Sequence, residues 1–384
     1  MNYLALALLT SVLTACGGGG GGGSSSSTSA ASGVSIQTVL KQSQTNRVYN
    51  TAVGDLNNDG LEDIVVSGWN YNSSTAYIWL FTQNSDGTLT DNTNLLPTNI
   101  IHGSQHVFIR DLDGDGRNDI FLPGFLDGTA MTKTPSIMFW NNVGGFTQQT
   151  FAEPVAAHGT CIDDVNNDGR LDLIVGDGGI YYNQGNRTFT LDTTILQNNW
   201  FTTCAVTHQS NGDVNIILGN NYAVAGYRNN INIYTSTMIF QSAVGVTSDA
   251  NTDLVEAVSI GRDFVLAYND SGNNLATPYK VIYANTGDNS YTVGSVINQT
   301  NNEYHAYTTI INGVDAVFFP NYQAGSQVYT IAGGVATEYK TGSFSRMSSG
   351  YSWATASAVY RNVSTNKVYM LQLLDQTFYA KEMQ

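Results

Sequence analysis

DLNNDGLED (55–63), DLDGDGRND (111–119) and DVNNDGRLD (164–172) are three copies of one acidic nonapeptide, and each runs straight into a β-branched apolar stretch. The shared pattern is D-x-[DN]-x-D-G-x-x-D. It sets side-chain oxygens at positions 1, 3, 5 and 9, from Asp55, Asn57, Asp59 and Asp63, from Asp111, Asp113, Asp115 and Asp119, and from Asp164, Asn166, Asp168 and Asp172. Oxygens at this spacing converge when a short loop closes around a hard cation, and the glycine at position 6 takes the tight turn. Position 7 adds a backbone carbonyl, from Leu61, Arg117 and Arg170. An oxygen-only cage supplied by the protein suits calcium better than magnesium, which keeps more of its water. The expectation is about three structural calcium ions, one per loop.

The residues after each loop separate this pattern from a helical calcium motif. An EF-hand carries a bidentate Glu at position 12 and continues as a helix. Here position 12 is Val66, Leu122 and Val175, inside Ile64-Val65-Val66, Ile120-Phe121-Leu122 and Leu173-Ile174-Val175. These short branched runs end at Gly68, Gly124 and Gly176, and they read as strands. An aromatic strand comes next in each copy: Tyr77-Ile78-Trp79-Leu80-Phe81, Ile137-Met138-Phe139-Trp140 and Ile180-Tyr181-Tyr182.

The loops begin 56 and 53 residues apart. A period of that length, built of several short strands, points to propeller blades that bury their faces only against one another. The repeats resemble the FG-GAP/VCBS family of calcium-loop β-propellers, which includes the integrin alpha-subunit head. The resemblance implies an all-β fold in which the acidic loop joins the first two strands of a blade. It is specific for residues 50 to 185. Weaker copies lie further along the chain: Thr207, Gln209, Asn211 and Asn215 hold the ligand positions of a fourth, and Asp253-Leu254-Val255 and Asp315-Ala316-Val317-Phe318-Phe319 resemble the ends of further ones. These read as blades without metal. Residues 35–384 at about 50 per blade give about seven four-stranded blades, with calcium loops in the early ones. The strand Ser35 to Leu40 is predicted to pair with C-terminal strands such as Val368-Tyr369-Met370-Leu371-Gln372 and close the ring, removing exposed edges.

Composition agrees with an all-β chain. Proline is scarce at 6, while 39 glycines and 22 tyrosines suit tight turns between aromatic strands. A net charge of −15 argues against nucleic acid or an anionic lipid surface as partner.

The N-terminus reads separately. Leu4 to Leu13 is an apolar core of signal-peptide length, too short to span a membrane. Leu13-Thr14-Ala15-Cys16 resembles the bacterial lipobox, although Met1-Asn2-Tyr3 lacks the usual basic residue. The resemblance implies residues 1–15 as a lipoprotein signal peptide and Cys16 as the lipidated residue. Residues 16–34 are then a Gly/Ser tether before the propeller at 35–384. Gly17 after the cysteine implies the outer membrane of a bacterial envelope, with membrane contact through the lipid alone.

Cys161 and Cys204 each lie three residues before a loop start, hence at equivalent places on adjacent blades. An exported setting permits a disulfide, and two buried thiols are the alternative. Enzyme signals are weak. His102, His106 and His158 gather ahead of the second and third loops and read either as a cluster or as polar loop residues. No nucleophile elbow, zinc helix or P-loop is present in the sequence. Trp69, Trp140, Trp200 and Trp353 either present aromatic platforms to glycans or fill the space between blades. The expected function is a monomeric, lipid-anchored binding or adhesion module for a protein or polysaccharide. The alternative is a polysaccharide lyase or hydrolase on the same scaffold.

Overall fold

The computed structural model describes residues 46–70, 76–97, 104, 106–126, 132–194, 201–219, 230–235, 240–245, 252–270, 279–287, 290–298, 306–311, 314–319, 326–342, 357–362, 366–374 and 377–383. The segments expected as signal peptide (1–15) and tether (16–34), the expected lipidation site Cys16 and the strand expected at 35–40 lie outside the described residues.

Among the described residues the chain forms seven antiparallel sheets in sequence order, spanning 46–91, 108–155, 160–192, 203–245, 252–298, 307–342 and 357–382. Six have four strands and the last has three, and within each the strands pair consecutively. The fold is an all-β propeller.

The reason is visible in the second strand of each early sheet. Ile64, Val65 and Val66 are all fully buried, as are Leu173, Ile174 and Val175, because both faces of these strands are covered. Successive side chains point to opposite faces. Ile64 and Val66 therefore pack toward the last sheet with Tyr360, Tyr369 and Leu371, while Val65 packs toward the second with Ile109, Ile120 and Leu122. Phe121 then faces the third sheet, beside Leu173 and Val175, and Ile174 faces the fourth, beside Ile216 and Leu218. Further clusters join the fourth sheet to the fifth, the fifth to the sixth and the sixth to the seventh. Each buried Val, Ile or Phe contributes about 1.5–3 kcal/mol, so every seam is held by a handful of such residues.

Closure is achieved by packing of the seventh sheet on the first. The Glu62 carboxylate also accepts the Arg361 backbone N–H across this seam. This corrects only the choice of Val368 to Gln372 as a partner strand; residues 35–40 themselves lie outside the described residues. The strand Lys367–Leu374 is central in its sheet, with Ser357–Asn362 on one edge and Thr377–Glu382 on the other, so neither edge is free. A second correction concerns Asp253-Leu254-Val255, which lie in Thr252–Ile260, the first strand of the fifth sheet and not the strand after its loop. Asp315 to Phe319 do lie in a second strand, Val314–Phe319.

Candidate metal centre

Each acidic nonapeptide forms the turn between the first and second strands of its sheet: Asn46–Gly54 to Asp63–Asn70, Phe108–Arg110 to Asp119–Leu122, and Thr160–Asp163 to Asp172–Val175. The three turns share one hydrogen-bond pattern. The first aspartate accepts the backbone N–H of the position-6 glycine: Asp55 from Gly60 at 2.8 Å, Asp111 from Gly116 at 2.9 Å and Asp164 from Gly169 at 2.7 Å. The position-3 oxygen accepts the N–H of position 5, at 3.0, 3.1 and 2.9 Å for Asn57, Asp113 and Asn166. Position 5 in turn accepts the N–H of position 7, which holds Asp59, Asp115 and Asp168 over the loop. The position-6 glycines have φ of +82°, +84° and +84°, a conformation costly for any side chain.

In the second loop Asp111, Asp113 and Asp115 bring one oxygen each within 4.8 Å of one another. In the first and third loops position 3 is an amide, and its Nδ2 donates to the position-5 carboxylate, Asn57 to Asp59 at 3.0 Å and Asn166 to Asp168 at 3.1 Å. Guanidinium groups already act as cations here. Arg117 Nη2 reaches Asp115 and Arg170 Nη2 reaches Asp168, each at 2.5 Å. Each arginine also ties its loop to the third strand, through Asn141 O and Asn183 O. The donor set is all hard oxygen and clustered negative charge, and it fits a hard divalent cation.

Position 9 has a different setting. Asp63, Asp119 and Asp172 are fully buried, and each splits its two oxygens between two backbone donors. One oxygen accepts the position-2 N–H, of Leu56, Leu112 or Val165. The other accepts a third-strand N–H, of Gln83, Asn141 or Asn183. Burial pushes Asp63 up to about 6, Asp119 to about 7 and Asp172 to about 6, with neighbouring loop aspartates adding to the effect and the backbone donors opposing it. Asp263 in the fifth sheet plays the same part without an acidic loop: it accepts from Asn285 N at 2.9 Å and Gly334 N at 2.8 Å. The position-9 carboxylate is thus a clasp for the hairpin, with a second lone pair left on each oxygen.

Amide side chains link the turns around the ring. Asn118 donates to Asp55 O at 2.7 Å, Asn141 to Leu56 O at 2.7 Å, and Asn183 to Leu112 O at 2.7 Å. Asn58 reaches Gly116 O and Asn167 reaches Gly212 O, both asparagines in the left-handed region at φ of +59° and +58°. Sequence patterning alone did not single out Gln83, Asn141 and Asn183. Their signal was an amide residue closing each aromatic strand.

The fourth hairpin shows what replaces the acids. Thr207 and Asn215 are fully buried, and together with Gln209 they surround the hydroxyl of Tyr291 from the fifth sheet, at 2.6, 3.0 and 2.8 Å. Asn211 and Asp213 close the turn by bonding each other. Cys161 and Cys204 form a disulfide between the third and fourth sheets, with Cα atoms 5.6 Å apart. His208 Nε2 meets Asp163 at 2.7 Å across the same seam.

His106 and His158 precede the first strands of their sheets, at the ends opposite the acidic turns. His106 Nε2 lies 2.6 Å from His158 O, and the His158 ring meets the Phe125 ring edge-on. Burial, with His106 nearby, depresses His158 to about 4, so it is held neutral. His102 lies outside the described residues, as do Trp200 and Trp353 and the side chain of Trp69. Trp140 is 3% exposed and stacked on Phe189, which places it in the seam and not on a platform.

Residues 55–122 match the family model of the FG-GAP-like repeat. No curated protein matches the sequence. The structure is similar to the crystal structure of BBS1N in complex with ARL6DN, at 10% identity and a TM-score of 0.52, covering 91% of this chain and 97% of that one. It is also similar to the periplasmic gluconolactonase of Pseudomonas aeruginosa (12%, TM-score 0.46, 88% and 95%) and to the exotype rhamnogalacturonan lyase YesX (11%, 0.41, 88% and 72%). At these identities the likeness is one of fold.

Proposed function

Because the chain carries an FG-GAP-like repeat on a β-propeller, we propose that it is a calcium-stabilised binding or adhesion module of a bacterial envelope, with each of the seven sheets serving as a blade. Calcium at the three acidic turns would be held by Asp55, Asn57, Asp59 and Asp63, by Asp111, Asp113, Asp115 and Asp119, and by Asp164, Asn166, Asp168 and Asp172. The carbonyls of Leu61, Arg117 and Arg170 complete the sets. The bound ion supplies positive charge that fixes the turn. The chain's own residues do the rest: the position-9 aspartates hold the hairpins, and Asn118, Asn141 and Asn183 pass the order of one turn to the next.

The observation that carries this reading is the convergence of Asp111, Asp113 and Asp115 within 4.8 Å on a turn whose backbone already aims their oxygens. The ligand in this reading is a protein or polysaccharide, and the module hangs from the outer membrane by a lipid on Cys16.

Elemental analysis of the native soluble domain tests the metal, with about three calcium ions expected and a fall in melting temperature on chelation. A domain free of metal that melts identically in chelator overturns it. A glycan-array and surface-protein screen, run beside an assay for released products, separates the module from a lyase or hydrolase.

A further inference from the structure

The second acidic turn carries one more carboxylate than the third: Asp113 stands where the third has Asn166, while Arg117 and Arg170 match. The structure supplies one more cation at the same place. Arg187, from the third sheet, donates Nε to Asp113 Oδ2 at 2.7 Å and Nη1 to Asn142 Oδ1 at 2.8 Å, and its Cζ lies 5.2 Å over the Trp140 ring. The Asp113 side chain is only 7% exposed beneath it. Local backbone geometry adds a second, independent sign. Asn186 and Arg187 form the two-residue turn between the strands Gly179–Gly185 and Thr188–Asp192, with φ of +52° and +63°. Such a turn favours Asn-Gly, because both central residues need positive φ. Arginine in the glycine position carries a conformational cost, and strain of this kind persists where neighbouring contacts hold it.

We propose that Arg187 is a tethered countercharge that sets the cation affinity of the second turn, cancelling the extra carboxylate of Asp113 and so matching this turn to the third. The inference rests on the calcium reading above. It also couples the site to the seam between the second and third sheets, since the same guanidinium bonds Asn142 and stacks on Trp140.

Terbium and calcium titrations of the full soluble domain test it. Terbium emission sensitised by Trp140, and lost in Trp140→Phe, reports the second turn; calorimetry reports all turns together. Arg187→Gln should tighten the second turn at least about tenfold at low salt, a gain that shrinks as salt screens it, and leave the first and third unchanged. Arg187→Lys should stay close to the parent. In Asp113→Asn/Arg187→Gln the affinity should return to within about threefold of the parent, because the missing charges cancel. Unchanged or weakened binding at the second turn in Arg187→Gln, with the other two turns intact, overturns this proposal alone. No binding at any turn overturns the calcium reading with it.

Discussion

Cys161 faces Cys204 because the two are one residue out of step in their sheets. Cys161 pairs with Ile174, two residues beyond Asp172, whereas Cys204 pairs with Leu218, three beyond Asn215. Equivalent positions on successive sheets point the same way round the ring and cannot meet. A shift of one residue turns a strand side chain to the other face, so Cys204 looks back at the third sheet while Ala205 looks on to the fifth. The bridge spans 43 residues of chain, and removing it frees the unfolded state by about 4 kcal/mol in the loop-entropy account. Cys161→Ser/Cys204→Ser should therefore unfold at lower denaturant and lose all sensitivity to reductant. A parent whose midpoint ignores reductant contradicts the staple.

Tyr291→Phe probes the fourth hairpin. The lost hydroxyl is shared by Thr207, Gln209 and Asn215, and two of these are fully buried. Stranding them should cost about 1–3 kcal/mol, equally with calcium and with chelator. Urea unfolding in both buffers measures it. A cost that appears only in calcium would assign a cation to this hairpin after all.

The propeller was legible in the sequence because two signals repeat in register: the acidic turn and the unbroken apolar strand that both neighbours cover. Asp253 was misplaced because the fifth hairpin keeps only its position-9 acid, Asp263, and turns through Gly261 and Arg262 instead of a long loop. The equivalence assumed for the two cysteines failed for a related reason. The fourth turn is shorter than the acidic ones, and counting from an aligned loop start slipped by one residue. Arg187, Asn141 and Asn183 escaped notice because their partners lie on other sheets, and no local spacing encodes a contact across a seam.

Acid sensitivity should trace to His158. Its folded pKa of about 4 lies below the ordinary 6.5, so the neutral form is favoured by folding. That contribution is complete above pH 6.5 and is lost as pH falls from 6.5 toward 4, since only the unfolded chain takes up the proton there. Asp63, Asp119 and Asp172 act in the opposite sense. Their raised values make the metal-free protein lose stability as pH rises from about 4 toward 6 or 7. Comparing the parent with His158→Gln in chelator isolates the histidine. The variant should show a stability slope shallower by about one proton between pH 4.5 and 6.5, and identical slopes would place His158 in solvent.

The loop positions divide into two roles that calcium should distinguish. Asp59, Asp115 and Asp168 at position 5 sit in part-exposed turns among other carboxylates; Asp115 and Asp168 each pair with an arginine of their own loop, and Asp115 lies 4.0 Å from Arg187 as well. Replacing any of them by Ala removes a ligand but also relieves repulsion, so stability should fall in calcium and hold or rise in chelator. Asp263 has no acidic turn around it, yet it joins the third strand of its own sheet to Gly334 of the next. Asp263→Asn keeps the shape and loses the charge-assisted pair of acceptors, which should cost about 1.5–3 kcal/mol whether or not calcium is present. Thermal melts of these variants in calcium and in chelator form the test. Equal losses in the two buffers at Asp59, Asp115 and Asp168 would mean that position 5 only fastens the hairpin.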